Sequence, residues 1–167
     1  FYDKVIVRDD PPVFREWRII HRNYLQSHCA TANCHGGKKA GRLFLFNKQP
    51  TSEETAYTNF YIADRFENKQ GLLVDRDYPK DSLLITYGFA RSETTKPHPD
   101  VPGFKPAFVT GQRDKTYGAT LKWVTTLYRP KPKYQLDYVV PTLKSVGASK
   151  VAPKPEPLPG KSGASEK

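Results

Sequence analysis

The stretch Ser27-His28-Cys29-Ala30-Thr31-Ala32-Asn33-Cys34-His35-Gly36-Gly37 contains both cysteines of the 167-residue chain, and a histidine directly follows the second. Two thiols beside an imidazole admit several chemistries. They can close a short-loop disulfide, which an exported protein permits, but His35 then has no role. They can supply half of a zinc site with His35 and His28 or His21, although structural zinc sites show a second, well-spaced ligand pair that is missing here. They can be inert buried thiols, yet neighbours of the Asn, Gly and Lys type do not describe a core.

A fourth chemistry uses all three side chains. In the motif Cys-x-x-Cys-His, two thiols add across the vinyl groups of a haem and the histidine becomes the proximal iron ligand. The histidine must adjoin the second cysteine, because the thioether holds the ring edge close to the backbone and only the next side chain can swing under the iron. The spacer is less constrained. Here it has four residues instead of two, and the extra residues can bulge outward while both sulfurs still reach their carbons. Cys29, Cys34 and His35 are therefore the candidate attachment site for one covalent haem c.

Outward from this motif, Asp9-Asp10-Pro11-Pro12 reads as a helix start. Val13, Trp17, Ile20 and Tyr24 follow at i, i+4, i+7 and i+11, the spacing of one helix face, so a helix through His28 runs straight into the cysteines. Arg42 to Phe46 reads as a short extended piece. Thr51-Ser52-Glu53-Glu54 starts a helix through about Asp64, and Asp81-Ser82 starts another carrying Leu83, Leu84 and Ile85. Five Pro and Gly residues between Thr95 and Thr110 predict a stiff irregular loop over the domain. Asp114 caps a final helix with Tyr117, Leu121, Val124 and Tyr128 on one face, widened by Trp123 and Leu127 and stopped by Arg129-Pro130. Gly118 inside it either admits a closely crossing helix or has no packing role.

These elements divide the chain into an N-terminal extension (1–12), a folded domain (13–140) and a tail (141–167) rich in Pro, Lys, Ser and Gly. The tail has no aromatic residue and cannot fold alone, so it is expected to be extended. Internal repeats are not apparent. The formal charge is +10, with five Lys against two Glu putting +3 on the tail and leaving +7 on residues 1 to 140. That excess suits partners with acidic docking surfaces. Nucleic acid is not expected, because the basic residues are scattered and no binding motif accompanies them. No run approaches the roughly 18 apolar residues of a membrane span, so membrane association is expected only through partners or a removed anchor. The chain opens at Phe1, and covalent haem is attached outside the cytoplasm. The expectation is a mature exported form, periplasmic or otherwise extracytoplasmic.

Taken together, the chain resembles a monohaem c-type cytochrome. More narrowly, it is similar to the planctomycete-type cytochrome c domains over about residues 13 to 130. The matching residues are the haem motif, Gly41-Arg42-Leu43-Phe44-Leu45, Asp81-Ser82-Leu83-Leu84, His98-Pro99 and Trp123-Val124. The four-residue spacer departs from the pattern. The resemblance implies an all-α, cytochrome c-like core with crossing N- and C-terminal helices and long irregular loops enclosing a haem. Tyr57, Phe60, Tyr61, Tyr87, Phe89, Phe104 and Phe108 are candidates for its wall, with ordinary core as the expectation for most of them.

The chain has no methionine, which excludes His/Met ligation within it. The sixth iron position then falls to histidine, lysine, another group or water, or stays open. Among the histidines, His28 adjoins Cys29 on the proximal side, and His21 lies roughly 12 Å away along the supporting helix. His98 follows His35 by 63 residues and stands between Pro97 and Pro99, which restrict its backbone. It also occupies the loop where the resembled domains present a distal ligand. Bis-histidine ligation through His35 and His98 favours electron transfer, alone or as a subunit of a larger redox complex, and an oligomer is compatible with it. No general base, nucleophile or second cofactor motif marks an enzyme. Two alternatives remain at this point: a haem-based gas-binding or sensor module with an open sixth site, and a non-haem structural protein with a Cys29–Cys34 disulfide.

Overall fold

The computed structural model describes residues 11–133. The predicted tail, the end of the folded domain at residue 140 and most of the N-terminal extension lie outside them. Helix α1 (Pro11–Ile20) continues without a break into a π-helical segment (His21–Cys29) that delivers the chain to the cysteine motif. Helix α2 (Glu53–Arg65) follows, then a two-residue antiparallel hairpin, β1 (Glu67–Asn68) and β2 (Gly71–Leu72). One turn of helix, α3 (Leu83–Thr86), precedes the long loop, and α4 (Lys115–Thr126) closes the described part. The molecule is mostly helical, as expected of an all-α chain, with the small hairpin as the one sheet among the described residues.

Local signals set most boundaries. Ser52 caps α2 by accepting a hydrogen bond from the Thr55 amide at 3.1 Å, and Asp114 caps α4 by accepting from Thr116 at 2.7 Å. Of the predicted stripe on the first helix, Trp17, Ile20 and Tyr24 are buried, while the Val13 side chain lies outside the described set. Helix α4 ends at Thr126, short of the predicted stop at Arg129-Pro130. Tyr128 therefore leaves the helical stripe and is 55% exposed.

The core forms where α1 meets α2 and α4. Trp17 lies against Trp123 with ring centroids 4.8 Å apart and against Phe60 at 5.7 Å, and its indole N–H donates to the Ala56 carbonyl at 2.8 Å. Phe14 stacks on Tyr57 at 3.6 Å. The contact between α1 and α4 runs through tryptophan rings and not through Gly118, which is exposed with nothing near a Cβ placed on it. Among the described residues no helix crosses closely at Gly118. Beyond α4, the Asp64 carboxylate, 1% exposed, pairs with Arg76 at 2.7 Å and Lys131 at 2.8 Å, while Arg76 donates to the Tyr128 carbonyl. This ties the chain after α4 to the end of α2.

The π-helical segment is the main departure from expectation, since uninterrupted α-helix was predicted through His28. In a π-helix, residues five apart come into line. Two such pairs meet here: Gln26 Nε2 lies 2.9 Å from His21 Nε2, and the Tyr24 side chain comes beside the Cys29 thiol. In an α-helix these pairs would point well apart around the axis.

Candidate functional site

After Cys29 the chain turns back on itself. The His35 amide donates to the Cys29 carbonyl at 2.9 Å, and the Cys34 and Gly36 amides both donate to the Thr31 carbonyl. Within the spacer Ala30 is buried while Ala32 and Asn33 are exposed, so its second half bulges toward solvent. The reversal is tight. A Cβ on Gly36 would stand 2.0 Å from the Ala30 oxygen and one on Gly37 1.9 Å from the Ala32 oxygen, so only glycine fits at either position. Both cysteines are free thiols. Burial, with the neighbouring Cys34, pushes the Cys29 thiol up to about 12, which leaves it protonated and far from an activated thiolate. Among the described residues no three His, Cys, Asp or Glu side chains gather as metal ligands, so the zinc reading finds no ligand set there.

Cys29, Cys34, His35 and His98 all line one cavity of about 1100 Å³. Its inner wall is apolar, formed by Leu25, Leu43, Leu45, Leu73, Leu83 and Leu84. The segment from His98 to Val109 forms the opposite wall. The amides of Ala107 and Phe108 both donate to the Gly88 carbonyl at 2.9 Å, fastening that segment at one end. Phe108 packs against Gly88 so closely that a Cβ there would be 2.2 Å from its ring. Arg91 pairs with Asp100 at 2.6 Å and holds the other end.

The two histidine rings have centroids 5.9 Å apart and planes inclined at 65°. His35 Nδ1 lies 3.0 Å from the Leu43 carbonyl and 3.2 Å from that of Ala40, and His98 Nδ1 lies 2.8 Å from the Pro99 carbonyl. A carbonyl only accepts, so in each ring Nδ1 carries the proton and Nε2 keeps its lone pair. His98 stacks on Phe104 at 4.9 Å and meets the edge of Tyr87 at 5.0 Å. Burial, more than any other cause, lowers the His98 pKa, which favours the neutral ring a metal ligand needs.

Of the seven aromatics predicted for the wall, Tyr87 and Phe104 line the cavity. Tyr57, Phe60, Tyr61 and Phe108 are buried elsewhere, and Phe89 packs beside Phe108 and Tyr117. Tyr24, read from sequence only as part of a helix stripe, lies on the cavity, and its hydroxyl donates to the Leu84 carbonyl at 2.8 Å. His28 sits exposed at the mouth with Nδ1 2.9 Å from the Ser27 hydroxyl. His21 does not reach this cavity. It is buried between Gln26 and Asn59, where burial holds its pKa down to about 4. No protein-family model, curated protein or solved structure matches the chain.

Proposed function

We propose that the chain is a cytochrome c-like electron-transfer protein that holds one haem covalently through Cys29 and Cys34 and ligates its iron through His35 and His98. The observation that carries this reading is the close pair of imidazoles, each with Nδ1 committed to a backbone carbonyl. Histidines that ligate metals typically donate their other ring nitrogen in this way. Two imidazoles that held one metal, each by a bond of about 2 Å from its nitrogen, would need ring centroids within about 6 Å of each other. The 5.9 Å separation of His35 and His98 agrees. Free thiols on the same wall and an apolar lining fit the rest of the group.

When bound, haem supplies a one-electron couple. The chain's own residues would hold it by two thioether bonds, orient both imidazoles through their Nδ1 hydrogen bonds and border it with a leucine wall. Lys39, Lys105 and the exposed Val101 and Val109 border the cavity, and they suit a redox partner with an acidic rim around an apolar centre. Covalent attachment is consistent with an exported, periplasmic protein and with a place in a larger redox complex.

The test is intact mass and absorbance of the purified protein. Denatured protein should retain the mass of one haem, and the unmodified protein should bind carbon monoxide poorly, while His98→Ala binds it readily. A mass equal to the bare polypeptide overturns the reading. Rapid carbon monoxide binding by the unmodified protein, unchanged in His98→Ala, would favour a gas sensor.

A further inference from the structure

A second cavity, of about 490 Å³, lies along the first helix and shares no lining residue with the haem cavity. Arg15, Arg18 and Arg22 border it from α1 and the π-helical segment, Glu53 borders it from the start of α2, and His21 lies within its lining. The arginines recur at i, i+3 and i+7 and so share one edge of the helix. Glu53 answers only Arg18, at 3.6 Å. The Arg22 Nε donates to Asn23 at 3.3 Å, leaving its terminal nitrogens without a partner among the described residues, where Arg15 has none either.

His21 supplies the second observation. It is 2% exposed, and its Nε2 lies 2.9 Å from the amide nitrogens of both Gln26 and Asn59. Those nitrogens also donate to the Phe46 carbonyl, each at 2.8 Å, and the Phe46 amide donates to Asn59 Oδ1, so the amide orientations are determined. Amide nitrogens have only hydrogens to give. Nε2 is therefore the acceptor, and the ring proton is on Nδ1. That N–H has no partner among the described residues. The nitrogen is not one of the buried atoms left without a hydrogen bond, so this N–H keeps access to the cleft that His21 lines, where an acceptor can reach it.

We propose that this cleft binds a small oxyanion, a phosphate or carboxylate group seated on the His21 Nδ1–H and clasped by Arg15 and Arg22. Guanidinium groups match the planar, bidentate geometry of such anions. The volume lies within the roughly 300 to 1,000 Å³ of small-ligand pockets. The donors border a recess, which suits a small group better than the flat array of headgroups on a membrane. Charge comes from the arginines and direction from the histidine, which burial keeps neutral. The proposal is independent of haem.

The full-length protein, with its histidines labelled with nitrogen-15, would be titrated with sodium phosphate and separately with citrate at constant ionic strength. The His21 ring signal should shift saturably with a millimolar dissociation constant, and whichever anion binds more tightly identifies the preferred group. In R15Q/R22Q, both positions being exposed, binding should weaken by about tenfold or more with the fold intact. K39Q/K105Q, at the mouth of the other cavity, should leave binding unchanged. No shift, or a linear shift that chloride reproduces, would reduce the effect to screening and overturn the proposal. So would full retention in R15Q/R22Q, loss in K39Q/K105Q alone, or a response to anionic vesicles or DNA without one to phosphate and citrate.

Discussion

Around Trp17 and Trp123 three helices close on one another in a packed core, whereas around His35 and His98 the side chains border a cavity, although both regions are built on the first helix. In the former, α1, α2 and α4 bring rings to 4.8 Å and 5.7 Å, and the one indole N–H described is satisfied by a backbone carbonyl. In the latter, the chain opposite the helix is a loop fastened at Gly88 and by Arg91–Asp100. Helices present side chains at fixed spacing and can interlock, while an irregular loop secured at its ends can arch over a space. Stability and site are thus assigned to different partners of one helix, and the change from α to π geometry marks the handover.

The largest effect should come from the dense region. Trp123→Ala should cost about 3 to 5 kcal/mol, read as a lower urea midpoint, because it removes the ring on which Trp17 and Phe60 rest. A loss under about 1 kcal/mol would show that the helix pairing is not what supports the cavity.

His21, at the junction of α1 and the π-helical segment, should respond to pH. Its folded pKa of about 4 lies below the ordinary 6.5, so the unfolded chain binds more protons between those values. Stability from this group is intact above about pH 6.5 and falls as pH drops toward 4, by about 2 kcal/mol at pH 5. Titration of the His21 ring by NMR checks the folded value directly. An ordinary value near 6.5 would mean that its enclosure by Gln26 and Asn59 does not exclude water.

Gly118 lies in neither region and gives the smallest effect, with the opposite sign. Its side is open, so Gly118→Ala should stabilise by up to about 1 kcal/mol through helix propensity alone. Destabilisation would reinstate a close contact at this position.

Helix starts were legible because a cap is a local event: Ser52 and Asp114 bond to amides two or three residues on, within the segment that announces them. The buried faces of α1 and α4 were legible for the same reason, as spacing along one strand of chain. The π-helical segment was not. It aligns His21 with Gln26 and Tyr24 with Cys29, and the first of these pairs is completed by Asn59 and Phe46 from distant parts of the chain. Nor could spacing separate Tyr87 and Phe104 from Tyr57 and Phe60, since an apolar ring against a cavity and one against a helix carry the same local pattern.

By itself the sequence determined the order Cys29, Cys34, His35, the two glycines directly after them, and the absence of methionine, because each depends on identity or on neighbours a few residues apart. Only the tertiary structure decided that His98 stands 5.9 Å from His35, that Nδ1 of each is held by a carbonyl, and that His21 lines a separate cleft. Those relations span 63 residues of loop and helix in one case and three elements in the other, and their distances follow from how the whole chain packs.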